Sequence, residues 1–198
     1  MPFDARHNRR QNPREKRPPK PLGQARLEEM ALAYVARFAT SAAKLEAYLK
    51  RKLRERGWEG QAEGTPGPDI SALVARYVEL GYIDDETYAR AKAGGLLRRG
   101  YGPRRVNQAL GAAGIAQDIR ESLQASEGQE RRAALALARK RRFGPFGTGA
   151  ADRATREKQI AAMLRAGHAL DSTRELLDAA TVEAAEEWAA AVQEEEGS

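Results

Sequence analysis

The strongest constraint on this chain is a pattern that it uses twice. Leu49-x-x-x-Leu53-x-x-x-Gly57-Trp58 and Val106-x-x-x-Leu110-x-x-x-Gly114-Ile115 share one spacing. Apolar residues four apart lie on one face of an α-helix, and glycine best takes the left-handed backbone that ends it. A looser third copy runs through Ile160 and Met163 to Gly167-His168. Repeats of this length indicate helical units stacked along an axis, each covering its neighbour's apolar face. No stretch alternates apolar and polar residues over the length of a strand. The fold class is all-α, built from tandem three-helix units.

Taken in order, residues 1–26 predict a disordered basic tail. Five of the nine prolines fall there, with eight Lys/Arg, two acids and few large apolar residues, too little to offset the entropy of ordering. Residues 27–82 form the first unit. Leu27, Met30, Ala31, Tyr34, Val35 and Phe38 make one helical stripe. Thr40 or Ser41 caps a second helix with Leu45, Tyr48, Leu49 and Leu53 inside. A Gly/Pro-rich loop follows, and Asp69 caps a third helix with Ile70, Leu73, Val74, Tyr77 and Val78 inside. The second unit, 83–126, has helices over 86–100, 103–114 and 117–123. The third, 127–198, has helices over 129–142, 154–167 and 172–180, then an added acidic helix over 181–195. The segment 143–152, FGPFGTGAAD, predicts a flexible joint.

The stretch from Leu80 to Ile115 carries the densest set of local signals. Gly81 ends a helix. Tyr82 and Ile83 lead into Asp84-Asp85, either of which can cap the next helix. That helix closes with Arg98-Arg99 and Gly100. Pro103 suits a first helical position and holds Gly102 extended. Arg104-Arg105 then place cations at a helix N-terminus, against the dipole. Such local mismatches often mark sites that meet a partner.

These residues carry a resemblance. Leu-Gly-Tyr-Ile-Asp-Asp-Glu (80–86), Leu-Arg-Arg-Gly-Tyr-Gly-Pro-Arg-Arg-Val (97–106) and Leu-x-x-x-Gly-Ile (110–115) are similar to the signature of the RecX family, modulators of the RecA recombinase. A weaker likeness extends from about Leu27 to about Leu177. The resemblance implies an elongated, curved body lodged in the groove of the RecA–single-strand DNA filament, suppressing ATP hydrolysis and strand exchange in DNA repair, recombination and the SOS response. Three features depart from the family pattern. Gly94-Gly95 stands inside a helix, at a propensity cost of roughly 2 kcal/mol, so a neighbour packs closely there or the helix bends. Lys44 replaces the acid of a capping box with Ser41, and the loop over 59–69 is long.

Charge and residue types bound the chemistry. The formal net charge is +6 and the isoelectric point about 9.7. From Glu86 to Arg142 there are 13 bases against 5 acids, whereas Glu183 to Ser198 holds six glutamates and no base. A basic middle points to a polyanionic partner surface. There is no cysteine, no run apolar enough for a membrane span and no apolar segment behind the charged N-terminus, so a cytoplasmic protein is expected.

No catalytic site is evident, and neither a metal nor a cofactor is expected. His7 lies in the tail, and His168 fills a repeat position that is apolar in the other copies. Asp84 and Asp85 are adjacent and so do not face each other on a helix, which favours capping over shared acid–base work. Gly144 to Gly149 lacks the lysine of a phosphate loop.

What remains is a surface. Arg98, Arg99, Arg104 and Arg105 flank Tyr101 at one corner, and Arg139, Lys140, Arg141 and Arg142 close a later helix; Arg98, Arg99, Tyr101, Arg104, Arg105, Arg139, Arg141 and Arg142 are the expected contacts with RecA or DNA. Arginine pairs with carboxylates or phosphates and stacks on rings, but cations at a helix C-terminus are also ordinary solvated caps. Tyr82 and Tyr88 are read as core. Gly81, Gly100, Gly102, Pro103 and Gly114 are read as structural. Two functions stay open: a regulator bound to the RecA filament, with single-stranded DNA as a further direct contact, or a basic nucleic-acid-binding module acting without RecA. A monomer is expected, because no self-complementary apolar patch is evident.

Overall fold

The second helix of each unit sets the plan, because its two ends meet different neighbours. The computed structural model describes residues 20–149 and 151–191, and ten α-helices lie among them. The first unit holds α1 (Gln24–Arg37), α2 (Ala42–Arg56) and α3 (Ile70–Glu79); the second holds α4 (Asp85–Arg98), α5 (Pro103–Gly111) and α6 (Gln117–Ser122). The third holds α7 (Glu127–Arg141), α8 (Arg153–Arg165), α9 (Leu170–Asp178) and α10 (Val182–Ala190). No strand forms among the described residues, which leaves the class all-α as expected.

Starts and stops follow local chemistry. Ser41, Asp69, Asp84, Asp152 and Thr181 each accept a hydrogen bond from a first-turn backbone N–H, and Ser126 with Gln129 completes a capping box. Gly57, Gly114 and Gly167, the three glycines of the repeat, all have positive φ just past the second helix of their units.

Each unit buries its own core. Leu22, Leu27, Leu45, Leu49, Leu73 and Tyr77 fill the first; Ala89, Val106, Leu110 and Ile115 the second; Ala134, Ala138, Met163, Leu176 and Ala185 the third. A fully buried leucine contributes about 2 kcal/mol over an exposed one. The alanine-rich second and third cores therefore rely on close helix approach more than on area.

Four expectations need correction. The first unit begins ahead of Leu27, because Leu22 is fully buried and α1 starts at Gln24. Leu22 N–H donates to Gly57 O at 2.9 Å, and Glu59 N–H donates back to Leu22 O at 3.1 Å, pinning the entering chain beside Trp58. The rest of the expected tail, residues 1–19, lies outside the described residues. Val78 is 45% exposed rather than inside, since α3 turns it away from α2. The expected joint over 143–152 is packed at its start: Phe143 and Phe146 lie against the third core, and Gly144 N–H donates to Gln159 Oε1 at 3.1 Å. Finally, α4 runs unbroken through Gly94-Gly95 with no neighbouring element against them. The nearest group to a methyl at Gly94 would be the Arg98 guanidinium, at 3.2 Å.

The units join end to end through equivalent positions. At the first joint the Ser41 hydroxyl donates to Ala113 O at 2.6 Å, and Asp85 accepts from Ala42 N–H at 2.8 Å. Asp84 thus caps its own helix while Asp85 caps one in the preceding unit. Lys44 Nζ donates to Tyr88 Oη at 2.7 Å, so the lysine that departs from the capping box ties the same joint. At the second joint Gly102 N–H donates to Ala166 O at 2.9 Å, and Arg104 N–H donates to Gly167 O at 3.3 Å. His168 is buried here, its Nε2 3.0 Å from Gly100 O, which accepts the bond.

Candidate partner-binding surface

The second joint brings together cations that the sequence keeps 40 residues apart. Arg99 and Tyr101 stand at the turn between α4 and α5, on either side of Gly100. Gly100 packs against Leu137 of α7, where a methyl would lie 2.9 Å from the Leu137 backbone nitrogen. That approach sets the α4–α5 turn beside the end of α7. The result is a cleft lined by Arg99 and Tyr101 from the second unit and by Leu137, Lys140, Arg141, Phe143, Ala162 and Ala166 from the third. No acidic side chain lines it.

The geometry within the cleft is specific. Arg99 Nε donates to Gly95 O at 3.0 Å, which fixes the stem and leaves the terminal nitrogens to face outward. Its guanidinium carbon is 6.0 Å from the Tyr101 ring centroid, within cation–π range. Tyr101 is 37% exposed. Helix rotation explains which residues of the α7 cluster take part. Lys140 and Arg141 stand three and four positions after Leu137 and share its face. Arg139 points away: it pairs with Glu186 of α10 and lies 5.3 Å over the Phe146 ring. Arg142, exposed, takes the left-handed C-cap conformation with φ 56°.

The corner expected around Tyr101 therefore divides. Arg99 and Tyr101 stay together. Arg98 lies back along α4 towards Gly94, and Arg105 donates to Gln108 Oε1 at 2.6 Å on its own helix. Arg104 lines a second groove, between α5 and α6, with Leu97, Val106, Leu110 and Leu123 on its floor. Arg120 stands there too, tied to Ile115 O and to Asn107 Oδ1. Burial pushes the Glu130 carboxyl at that groove's edge up from its ordinary pKa, and nearby Glu127 adds to the rise. Arg98, Arg99, Arg104, Arg105, Lys140, Arg141 and Arg142 form no ion pair with any described residue. Of the expected contacts, Arg139 alone is ion-paired among the described residues.

The remaining expectations resolve by burial. Tyr88 is half-buried, between Lys44 and Lys92. Tyr82, expected in the core, is 55% exposed beside Leu80 at 57%, because the turn at Gly81 carries it outward while Ile83 takes the buried place. His168 does occupy the repeat position of Trp58 and Ile115. Its burial was legible from that register; its bond to Gly100 was not. Desolvation lowers its pKa below the ordinary value, partly offset by the bond to Gly100 O. Lys140 was part of the sequence cluster, and its shared face with Leu137 was the signal that it lines the cleft. Hydrogen bonds from Thr87, side chain first and then backbone, hold Asp84 below its ordinary pKa, as suits a helix cap. Among the described residues no cluster of His, Asp and Glu could hold a metal ion, and no helix is long and apolar enough to cross a membrane.

Residues 84–122, the second unit, match the family model described as RecX, second three-helix domain. The regulatory protein RecX of Myxococcus xanthus is 32% identical over 165 residues, covering 81% of this chain and 88% of that protein. That of Stenotrophomonas maltophilia is 35% identical over 127 residues, covering 64% and 72%. The crystal structure of RecX from Lactobacillus salivarius superposes with a TM-score of 0.58 at 20% identity, over 78% of this chain and 96% of that one, which is a likeness of fold. Likeness at 32% identity along 88% of a relative, together with the family-model match over the second unit, places this chain in the RecX family.

Proposed function

We propose that this protein regulates a RecA recombinase by lodging in the groove of the RecA–single-strand DNA filament and suppressing ATP hydrolysis and strand exchange. The observation that carries the reading is the likeness to proteins named regulatory protein RecX along 88% of the length of one of them. The architecture suits the task. Three separately cored units, joined end to end, can touch successive protomers of a helical filament, and several weak contacts held in series give avidity without one large interface. The unpaired cations around the second joint offer a surface for acidic protein groups and nearby phosphates. Arg98, Arg99, Tyr101, Arg104, Arg105, Arg141 and Arg142 are the proposed contacts. The protein acts as a cytoplasmic, monomeric binder with no chemistry of its own.

The test is the rate of ATP hydrolysis by RecA on single-stranded DNA as the protein is titrated in at fixed salt. Inhibition well below the concentration that coats the DNA supports action on the filament. Inhibition only at saturation of the strand would instead favour a nucleic-acid-binding module acting without RecA. No inhibition of the matching species' RecA would leave the fold without this function.

A further inference from the structure

The cleft at the second joint combines two recognition elements that a polyanion site alone does not need. It has three cations with no acid among its lining residues, and it has Tyr101, 37% exposed, in the same lining as apolar Leu137 and Phe143. Phosphate recognition requires only the first element. A stacking face beside it, with Arg99 already ranged against the same ring, fits a base attached to its phosphate. Stacking on Tyr101 needs an unpaired base, since one held inside a duplex has no free face to offer.

We propose that this cleft binds one nucleotide of a single strand, with the base against Tyr101 and the flanking phosphates on Arg99, Lys140 and Arg141. The site belongs to two units and exists only while their joint is closed. His168 holds Gly100, the residue between Arg99 and Tyr101, and is a positioning residue for the site. The binding needs no RecA, so it stands or falls apart from the function proposed above.

The experiment is fluorescence anisotropy at low salt with the full chain and two labelled probes, a ten-residue oligothymidylate and an abasic deoxyribose-phosphate strand of the same length. Tyr101→Ala should weaken oligothymidylate binding roughly 10-fold and leave the abasic strand unaffected, whereas Tyr101→Phe should bind both probes normally. Lys140→Gln with Arg141→Gln should weaken both probes and lower the slope of log affinity against log salt by about 0.7 for each phosphate no longer neutralised. His168→Ile should weaken binding of both probes, although it touches no nucleotide, because Gly100 sets Arg99 and Tyr101 together. Circular dichroism confirms that each variant keeps its helices. Equal affinity of the unaltered protein for the two probes, or an unchanged oligothymidylate affinity in Tyr101→Ala, would overturn the proposal and leave an acidic protein surface as the cleft's partner.

Discussion

The two joints between units use matching positions and different groups. In both, the N-cap of one unit's second helix donates to the residue before the helix-ending glycine of the next unit. Ser41 does so with its hydroxyl, to Ala113 O; Gly102 does so with its backbone N–H, to Ala166 O. Around the first joint the ties are side chains, from Asp85 to Ala42 N–H and from Lys44 to Tyr88. Around the second they are main chain to main chain, with His168 the one side chain among the described residues that hydrogen-bonds across it. A side-chain joint can be trimmed or lengthened by substitution. A backbone joint has no part that a substitution can shorten. It fixes the two units' approach more rigidly, and it is the joint that builds the basic cleft.

Glycine substitutions should separate the joints most sharply. A methyl at Gly102 would lie 2.4 Å from the Gly167 carbonyl carbon, and one at Gly114 would lie 2.2 Å from the Ala43 methyl. Gly102→Ala should cost about 3 kcal/mol in urea unfolding, with nothing nearby to remove. Gly114→Ala should cost a similar amount, since it adds strain at φ 72° to the clash. Ala43→Gly in the same chain should recover about 1 to 2 kcal/mol of that loss as a coupling energy. A coupling near zero would mean that the first joint relaxes by moving apart, and the contrast between the joints would fail.

The next effects come from the side chains that tie each joint. Ser41→Ala removes the helix cap and leaves the Ala113 carbonyl without its donor, for an expected loss of about 1.5 kcal/mol at any pH near neutrality. His168→Ile should lose about 1 kcal/mol and also change the pH dependence. Burial lowers the folded-state pKa of His168, so the unfolded chain binds more protons as pH falls through the ordinary histidine range. Its contribution is full above about pH 6.5 and declines as pH drops towards the lowered folded value. Urea midpoints at pH 8 and pH 5.5 should fall further apart in the unaltered protein than in His168→Ile. Equal pH dependence in the two would show that another group controls acid sensitivity.

These contrasts mark how far the sequence could be read. Periodicity reports which face of a helix is covered, and N-caps and glycines report where it starts and stops. The helices and the repeat register of Gly57, Gly114 and Gly167 were therefore legible, as was the role of Asp84 as a cap. Asp85 caps a helix 43 residues away, and no local signal distinguishes it from a second choice at the same cap. Arg139 and Arg141 look alike in sequence, yet one is tied to Glu186 and the other lines a cleft, because neighbouring positions on α7 face different elements. The site depended on partners across the chain, and that dependence is what a linear pattern lacks.

Gly94 and Gly95 give the smallest effect and the one of opposite sign. They share the residue type of Gly102 and Gly167 but none of their surroundings. A methyl at Gly95 would meet nothing nearer than the Arg98 guanidinium at 4.0 Å, and one at Gly94 would meet the same flexible group at 3.2 Å, which can swing aside. Their helical φ needs no glycine, so the substitution mainly removes freedom from the unfolded chain. Gly95→Ala should stabilise by roughly 0.5 to 1 kcal/mol, and Gly94→Ala by somewhat less because Arg98 must move. If urea unfolding showed Gly95→Ala to destabilise instead, this face of α4 would have to be counted with the joints, as a place where the main chain is approached too closely for a side chain.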